Sequence, residues 1–131
     1  LLDQFALNVH RDRPQSFDAS ALAIPITYKM IKEGWDTQLP YTMQMFVYLP
    51  LEHSEVLKDQ EASVELFTAA AEALKSDGDS EGHALATSVS QYAVDHYNVV
   101  KQYGRFPGRN AVYKRPDTEE EKVYLSDGGI Y

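Results

Sequence analysis

A histidine stands between two acidic residues in the segment Leu51-Glu52-His53-Ser54-Glu55. A histidine beside a carboxylate is typical of a proton-transfer group, because its pKa lies near neutrality and a neighbouring charge tunes it. His53 is therefore a candidate catalytic base, and Glu55 is a candidate residue to orient it. The structural alternative is a helix that starts after Pro50. In it, Glu52 and Glu55 satisfy the first N–H groups and His53 hydrogen-bonds in the core.

The same segment does not predict a metal site or a cofactor site. His-x-Glu is not a spacing that places two ligands on one helix face, and the chain has no HExxH motif. It also lacks a glycine-rich phosphate loop and a GxSxG motif. We expect no metal and no cofactor. His96 lies on the apolar stripe of a predicted helix, and we interpret it as a hydrogen-bonded core residue.

Cationic and amide side chains cluster in a second segment, where Arg105, Arg109 and Asn110 surround a Pro-Gly turn. The planar guanidinium of arginine matches carboxylates and phosphates, so these three residues are candidate ligand-binding residues. Alternatively, Arg109 pairs with a buried acid such as Asp3 or Glu55 and fixes the fold. Both interpretations remain open.

A third polar segment lies near the start of the chain, where Asp3 and Asn8 are candidate ligand-binding residues beside Gln4. Their alternative role is local hydrogen bonding. All three polar segments adjoin apolar stretches with helical spacing. We therefore expect the three segments to meet at one polar site between packed helices.

Composition excludes several classes of protein. The chain has 131 residues, which fits one domain, and its net charge of −8 disfavours a nucleic acid or an anionic membrane surface as partner. It has no cysteine, which excludes disulfides and a cysteine-based zinc site. The apolar stretches 19–28 and 43–51 are too short to cross a bilayer. We expect an intracellular protein, in the cytoplasm or inside an organelle.

Apolar residues recur at helical spacing along most of the chain, and no long run alternates as a strand would. Pro25 is expected to kink its helix or delay the start, and Pro50 is expected to interrupt one. A capping box of Thr118 and Glu121 predicts a last short helix. The predicted helices cover residues 1–9, 19–33, 40–48, 52–75 and 81–103, with a short one after 118. Short connections between them predict antiparallel pairs.

The three motifs together resemble a widespread bacterial and eukaryotic family of unknown function with a tetratricopeptide-like helical fold. The family motifs LDQFPRN, LPLEHSE and GRFPHRN are matched at residues 2–5 with Asn8, at 49–55, and at 104–107 with Arg109 and Asn110. The chain departs from them at Ala6-Leu7, where the family has Pro-Arg, and at Gly108, where it has His. The resemblance also implies an upstream helical segment that this sequence lacks.

From the resemblance we expect an all-α fold of antiparallel helix pairs stacked like tetratricopeptide repeats, in a single domain over residues 1–131. The favoured function is a protein-binding or structural subunit of a larger assembly, because the departures weaken a catalytic site and the absent layer leaves a face to cover. The alternative is a hydrolase or transferase acting on a small anionic metabolite. In it, His53 is the general base, Glu55 orients it, and Arg109 with Asn110 binds the substrate.

Overall fold

The computed structural model describes Ala6, residues 8–10 and residues 13–131, with all of their side chains except those of Ser16 and Asp18. Six α-helices have defined bounds in this part of the chain. They are α1 (Gln15–Lys32), α2 (Tyr41–Glu52), α3 (Leu57–Ser76), α4 (Ser80–Tyr103), α5 (Asn110–Tyr113) and α6 (Glu119–Ser126). Single 3₁₀ turns lie at Asp36–Gln38 and Pro107–Arg109.

The predicted all-α class is confirmed, since the described residues contain helices and no strand. Consecutive helices α1, α2, α3 and α4 pack side by side, and α3 against α4 is the most extensive contact. This arrangement is compatible with tetratricopeptide-like stacking. None of the helices described is both long enough and apolar enough to cross a membrane.

Both internal prolines are accommodated within helices. α1 starts at Gln15 and continues past Pro25, so the expected later start is wrong. α2 continues past Pro50 to Glu52, so Pro50 does not separate two helices. Proline removes one backbone hydrogen-bond donor from a helix. Pro50 is buried in the last turn of α2, and the helical hydrogen bond from the His53 N–H to the Leu49 carbonyl is present at 3.0 Å.

As a result, Glu52 and His53 end one helix rather than start the next, and α3 begins only at Leu57. The last carbonyls of a helix need donors from outside it. The Gln60 amide supplies them, donating to the carbonyls of Glu52 at 2.5 Å and Ser54 at 2.6 Å. Asp59 accepts the Ser54 hydroxyl at 2.7 Å. The turn that carries His53 is therefore fixed by the first residues of α3.

The core beneath this turn combines large aromatic rings with alanines. Tyr48 and Phe67 are fully buried and meet edge to face, with ring centroids 5.5 Å apart, beside Ala93 of α4. A second cluster, of Val99, Val100 and Phe106, lies at the end of α4. Close packing of these groups holds the α2 C-terminus and the α4 C-terminus in fixed relation.

Candidate functional site

Helix α4 ends at Gly104, which has a left-handed conformation with φ of 71° and directs the chain into the segment 104–110. Glu55 binds this segment to the turn after α2. One carboxylate oxygen accepts the Phe106 N–H at 2.8 Å, and Arg115 donates to both oxygens at 2.7 and 2.9 Å. Arg115 also donates to the Phe106 carbonyl at 3.2 Å. The Glu55 carboxylate is therefore a cross-link between two segments distant in sequence.

The charge state of Glu55 is consistent with this structural role. Burial by itself raises its pKa, but the hydrogen bonds from Arg115 and Phe106 and the nearby charges of Arg115 and Arg109 outweigh it, so the pKa lies below its ordinary value. That Glu55 also orients His53 stays a prediction. Arg115 was missed by sequence reasoning, because it stands outside the motif and 60 residues from its partner.

Arg105 and Asn110 both face the N-terminus of α6. Arg105 forms a bidentate pair with the buried Glu121 carboxylate at 2.6 and 2.7 Å. The Asn110 amide donates to Asp117 at 2.7 Å and to Glu121 at 3.3 Å. The predicted capping box of Thr118 and Glu121 is present. In this structure the two predicted ligand-binding side chains thus hold α6 against the segment 104–110.

Arg109 lies where the third motif meets the second. Its Nη1 donates to the His53 carbonyl at 2.8 Å. Its guanidinium lies between two rings, 4.3 Å from the centroid of Phe17 and 4.3 Å from that of Phe106. Contacts of this kind between a guanidinium and aromatic rings restrict the orientation of the cation. The expected meeting of these two motifs is therefore observed in the geometry.

A cleft of about 200 Å³ opens at this junction, and we call it the Arg109 pocket. Its wall contains two imidazoles, one guanidinium and aromatic rings. The lining residues are Phe17, His53, His96, Phe106, Gly108, Arg109, Ile130 and Tyr131. His53 and Arg109 are half-buried there. Of the candidate residues named from the sequence, these two line the pocket.

His96 forms the inner wall of the Arg109 pocket. Its ring packs edge to face on Phe106, at 5.5 Å between centroids, and lies 4.0 Å from the Tyr131 ring. Nδ1 lies 2.7 Å from the Tyr92 carbonyl and 3.5 Å from Glu52 Oε1. Burial is the main cause that lowers the pKa of His96 to about 4, so the ring is neutral at pH 7. A carbonyl only accepts, so Nδ1 carries the proton and Nε2 carries the lone pair.

The segment 128–131 closes one side of the pocket. The Gly108 N–H donates to the Tyr131 carbonyl at 2.6 Å. A Cβ at position 108 would lie 2.7 Å from the Ile130 carbonyl oxygen, which is closer than real contacts allow. Gly108, where the family motif has His, is thus required for this approach. Tyr131, in the same segment, packs on His96.

Of the three polar residues in the first polar segment, Asp3, Gln4 and Asn8, the structure describes only Asn8. Asp3 and Gln4 lie outside the described residues. Asn8 is exposed, next to a helical Val9. Whether Asp3 and Asn8 belong to the same site as Arg109 stays a prediction.

These features define an all-α protein with one polar junction between the ends of α2 and α4. The chain belongs to a family described as bacterial protein of unknown function (DUF924), whose model matches residues 1–129. Its fold is similar to that of a protein of unknown function from Agrobacterium tumefaciens, at 28% identity and a TM-score of 0.75. The match covers 97% of this chain and 64% of that one. No curated protein matches significantly.

The pairing of Glu121 predicts a pH dependence of stability. Arg105 is the main cause that holds the pKa of Glu121 at about 2, against 4.5 for the unpaired group. A depressed carboxylate pKa contributes stability above the unfolded value and loses it as the pH falls. We expect the free energy of unfolding to fall between about pH 5 and pH 2, and to fall less steeply in Glu121→Gln.

Denaturant unfolding at several pH values measures this difference. The exposed Glu120→Gln is the matched control and should keep the wild-type slope. If the free energy of unfolding of Glu121→Gln falls with pH as steeply as that of the wild type, the prediction is contradicted, because protonation of Glu121 then does not affect stability.

Proposed function

We propose that the Arg109 pocket binds a small anionic metabolite, on which the protein acts as a hydrolase or transferase. The observation that carries the proposal is the meeting of two distant motifs. Arg109 Nη1 lies 2.8 Å from the His53 carbonyl, and both side chains line the same cleft. Neither motif alone required this arrangement.

The charge and size of the pocket support an anion. Arg109 brings a cation whose plane is held by Phe17 and Phe106, and an ordered guanidinium loses less entropy on binding a carboxylate or phosphate. The volume of about 200 Å³ is below the range of drug-sized ligand sites, which favours a ligand of few heavy atoms. The His53 imidazole lines the same cleft, and an imidazole N–H can donate a hydrogen bond to such a ligand.

Substitution of Arg109 tests the proposal, with inorganic phosphate and malonate as probes. We expect Arg109→Gln to weaken binding by about 10-fold to 100-fold, because a hydrogen bond to a charged group contributes about 1.5–3 kcal/mol. Arg109→Lys keeps the charge but loses the planar fork, and we expect it to weaken binding as well. Isothermal titration calorimetry of folded variants, verified by circular dichroism, gives the affinities.

Lys75→Gln is the matched control, since it removes one exposed cation at the far end of α3. It should bind like the wild type. Equal affinity in the wild type, Arg109→Gln and Arg109→Lys, or no affinity for either probe in the wild type, would contradict the proposal.

A second candidate function is protein binding, and the outer side of the first helix pair favours it. Leu22, Ile26, Met43 and Phe46 are between 37% and 69% exposed. Thr27 of α1 donates to the Val47 carbonyl of α2 at 2.7 Å. Ile26 and Phe46 are the sequence neighbours of these two contacting residues, so they lie near the α1–α2 contact. An apolar face on a helix pair fits an apolar-faced helix of another polypeptide.

Removing this face should release the partner without unfolding the protein. We expect the amount of one co-purifying protein to fall at least about 10-fold in the double variant Leu22→Ser and Phe46→Ser, relative to the wild type, when measured by quantitative mass spectrometry. The double variant Leu85→Ser and Val123→Ser is the control, because both residues are exposed elsewhere. A wild type that sediments as a monomer, with the same associated proteins in both variants, would contradict this function.

A further inference from the structure

Three side chains that could ligate a metal lie close together beside the Arg109 pocket, and two of them, His53 and His96, line it. One ligand atom each of Glu52, His53 and His96 lies within 4.8 Å of the other two. Glu52 and His96 are buried and His53 is half-buried. Donors bound to one ion at about 2.0–2.2 Å are separated by roughly 3–4 Å, so small side-chain rotations bring these three into a single coordination sphere.

One ring nitrogen of His96 remains for a metal ion. Its Nδ1–H donates to the Tyr92 carbonyl at 2.7 Å, which fixes the tautomer and leaves the Nε2 lone pair for coordination. Metal-ligating histidines almost always donate their other N–H to a carbonyl or carboxylate in this way. The Phe106 and Tyr131 rings at 5.5 and 4.0 Å restrict the rotation of the imidazole further.

The backbone around the other two donors is also held in place. Glu52 and His53 end α2, and the Gln60 amide fixes the Glu52 carbonyl at 2.5 Å. Arg109 binds the His53 carbonyl at 2.8 Å. Neighbouring side chains thus hold the main chain at both residues, which lowers the reorganisation needed for binding.

We propose that Glu52, His53 and His96 form a two-histidine, one-carboxylate centre for a divalent first-row transition metal ion. Two imidazole donors favour zinc, cobalt or iron over calcium, magnesium and manganese, which prefer oxygen ligands. Three protein ligands leave coordination positions open toward the pocket. The nearby Arg109 cation repels a bare ion, so the centre also favours an anion bound between the metal and the guanidinium.

The sequence concealed this site because its donors come from two helices. Glu52 and His53 are adjacent, and their spacing alone resembles no ligand motif. His96 joins them only through the packing of α4 beside the end of α2. The metal-binding inference goes beyond the proposed function and does not depend on anion binding.

Titration of the metal-free protein with Co²⁺, followed by its visible absorption, tests the centre directly. We expect one ion per chain with a d–d spectrum, and competition by Zn²⁺. His53→Gln should weaken the affinity for Co²⁺ by at least about 10-fold. Substitution of a residue that only hydrogen-bonds a metal ligand already lowers metal affinity by about that factor. His53 is only half-buried, so this variant is expected to stay folded where a variant of buried His96 is not.

His83→Gln is the matched control, because His83 lies on α4 with His96, outside the proposed ligand set, and its Nδ1 contacts the Ala71 carbonyl at 2.8 Å. It should bind Co²⁺ like the wild type. Absence of a d–d spectrum in the wild type, or equal affinity in His53→Gln, would overturn the metal centre.

Phosphate titration of the same samples separates this inference from the proposed function. If the protein does not bind Co²⁺ but still binds phosphate in the presence of EDTA, the proposed metal centre is contradicted and the proposed anion site is supported. Co²⁺ binding without phosphate binding supports the centre and contradicts the anion site.

Discussion

The half-buried carboxylate of Glu55 is the interaction on which the site depends. It accepts hydrogen bonds from Phe106, 51 residues away, and from Arg115, 60 residues away. An ion pair of this kind contributes to stability only when its hydrogen bonds are well formed, and here three donors contact the two oxygens at 2.7–2.9 Å. Since Glu55 follows the end of α2 and Phe106 follows the end of α4, this carboxylate joins the two terminal segments directly, in addition to the apolar packing of the helices.

The Arg109 pocket follows from that connection. With Phe106 fixed by Glu55, Arg109 stacks on the Phe106 ring and reaches the His53 carbonyl. His96 then lies behind Phe106 on α4, and its distance from Glu52 is set by the packing of α4 against α2. The second bidentate pair, between Arg105 and Glu121, holds α6 and so the segment that carries Tyr131. The motif residues thus divide into those that build the junction and those that line the cleft.

Local patterns predicted the parts of the fold that are determined locally. The extent of α4, its end at Gly104 and the capping box at Thr118 depend on residues within a few positions of each other, and the structure contains all three. The predicted interruption of the helix at Pro50 was wrong. The destabilisation that a proline causes in a helix depends on its surroundings, here its burial and the Gln60 amide that binds the carbonyl at the helix end. Arg115 and His96 were missed as members of the site because their partners lie far away in the sequence. The meeting of His53 and Arg109 was predicted because both motifs are polar segments beside apolar stretches of helical spacing.

A double-mutant cycle on Glu55→Gln and Arg115→Gln tests the central claim most directly, with the free energy of unfolding measured for all four proteins at pH 7. If Glu55 and Arg115 connect the two segments, the coupling energy should lie at about 1–3 kcal/mol, as measured for contacting residues in one hydrogen-bonded network. Effects that add within about 0.5 kcal/mol would contradict the account, because independent residues behave in that way.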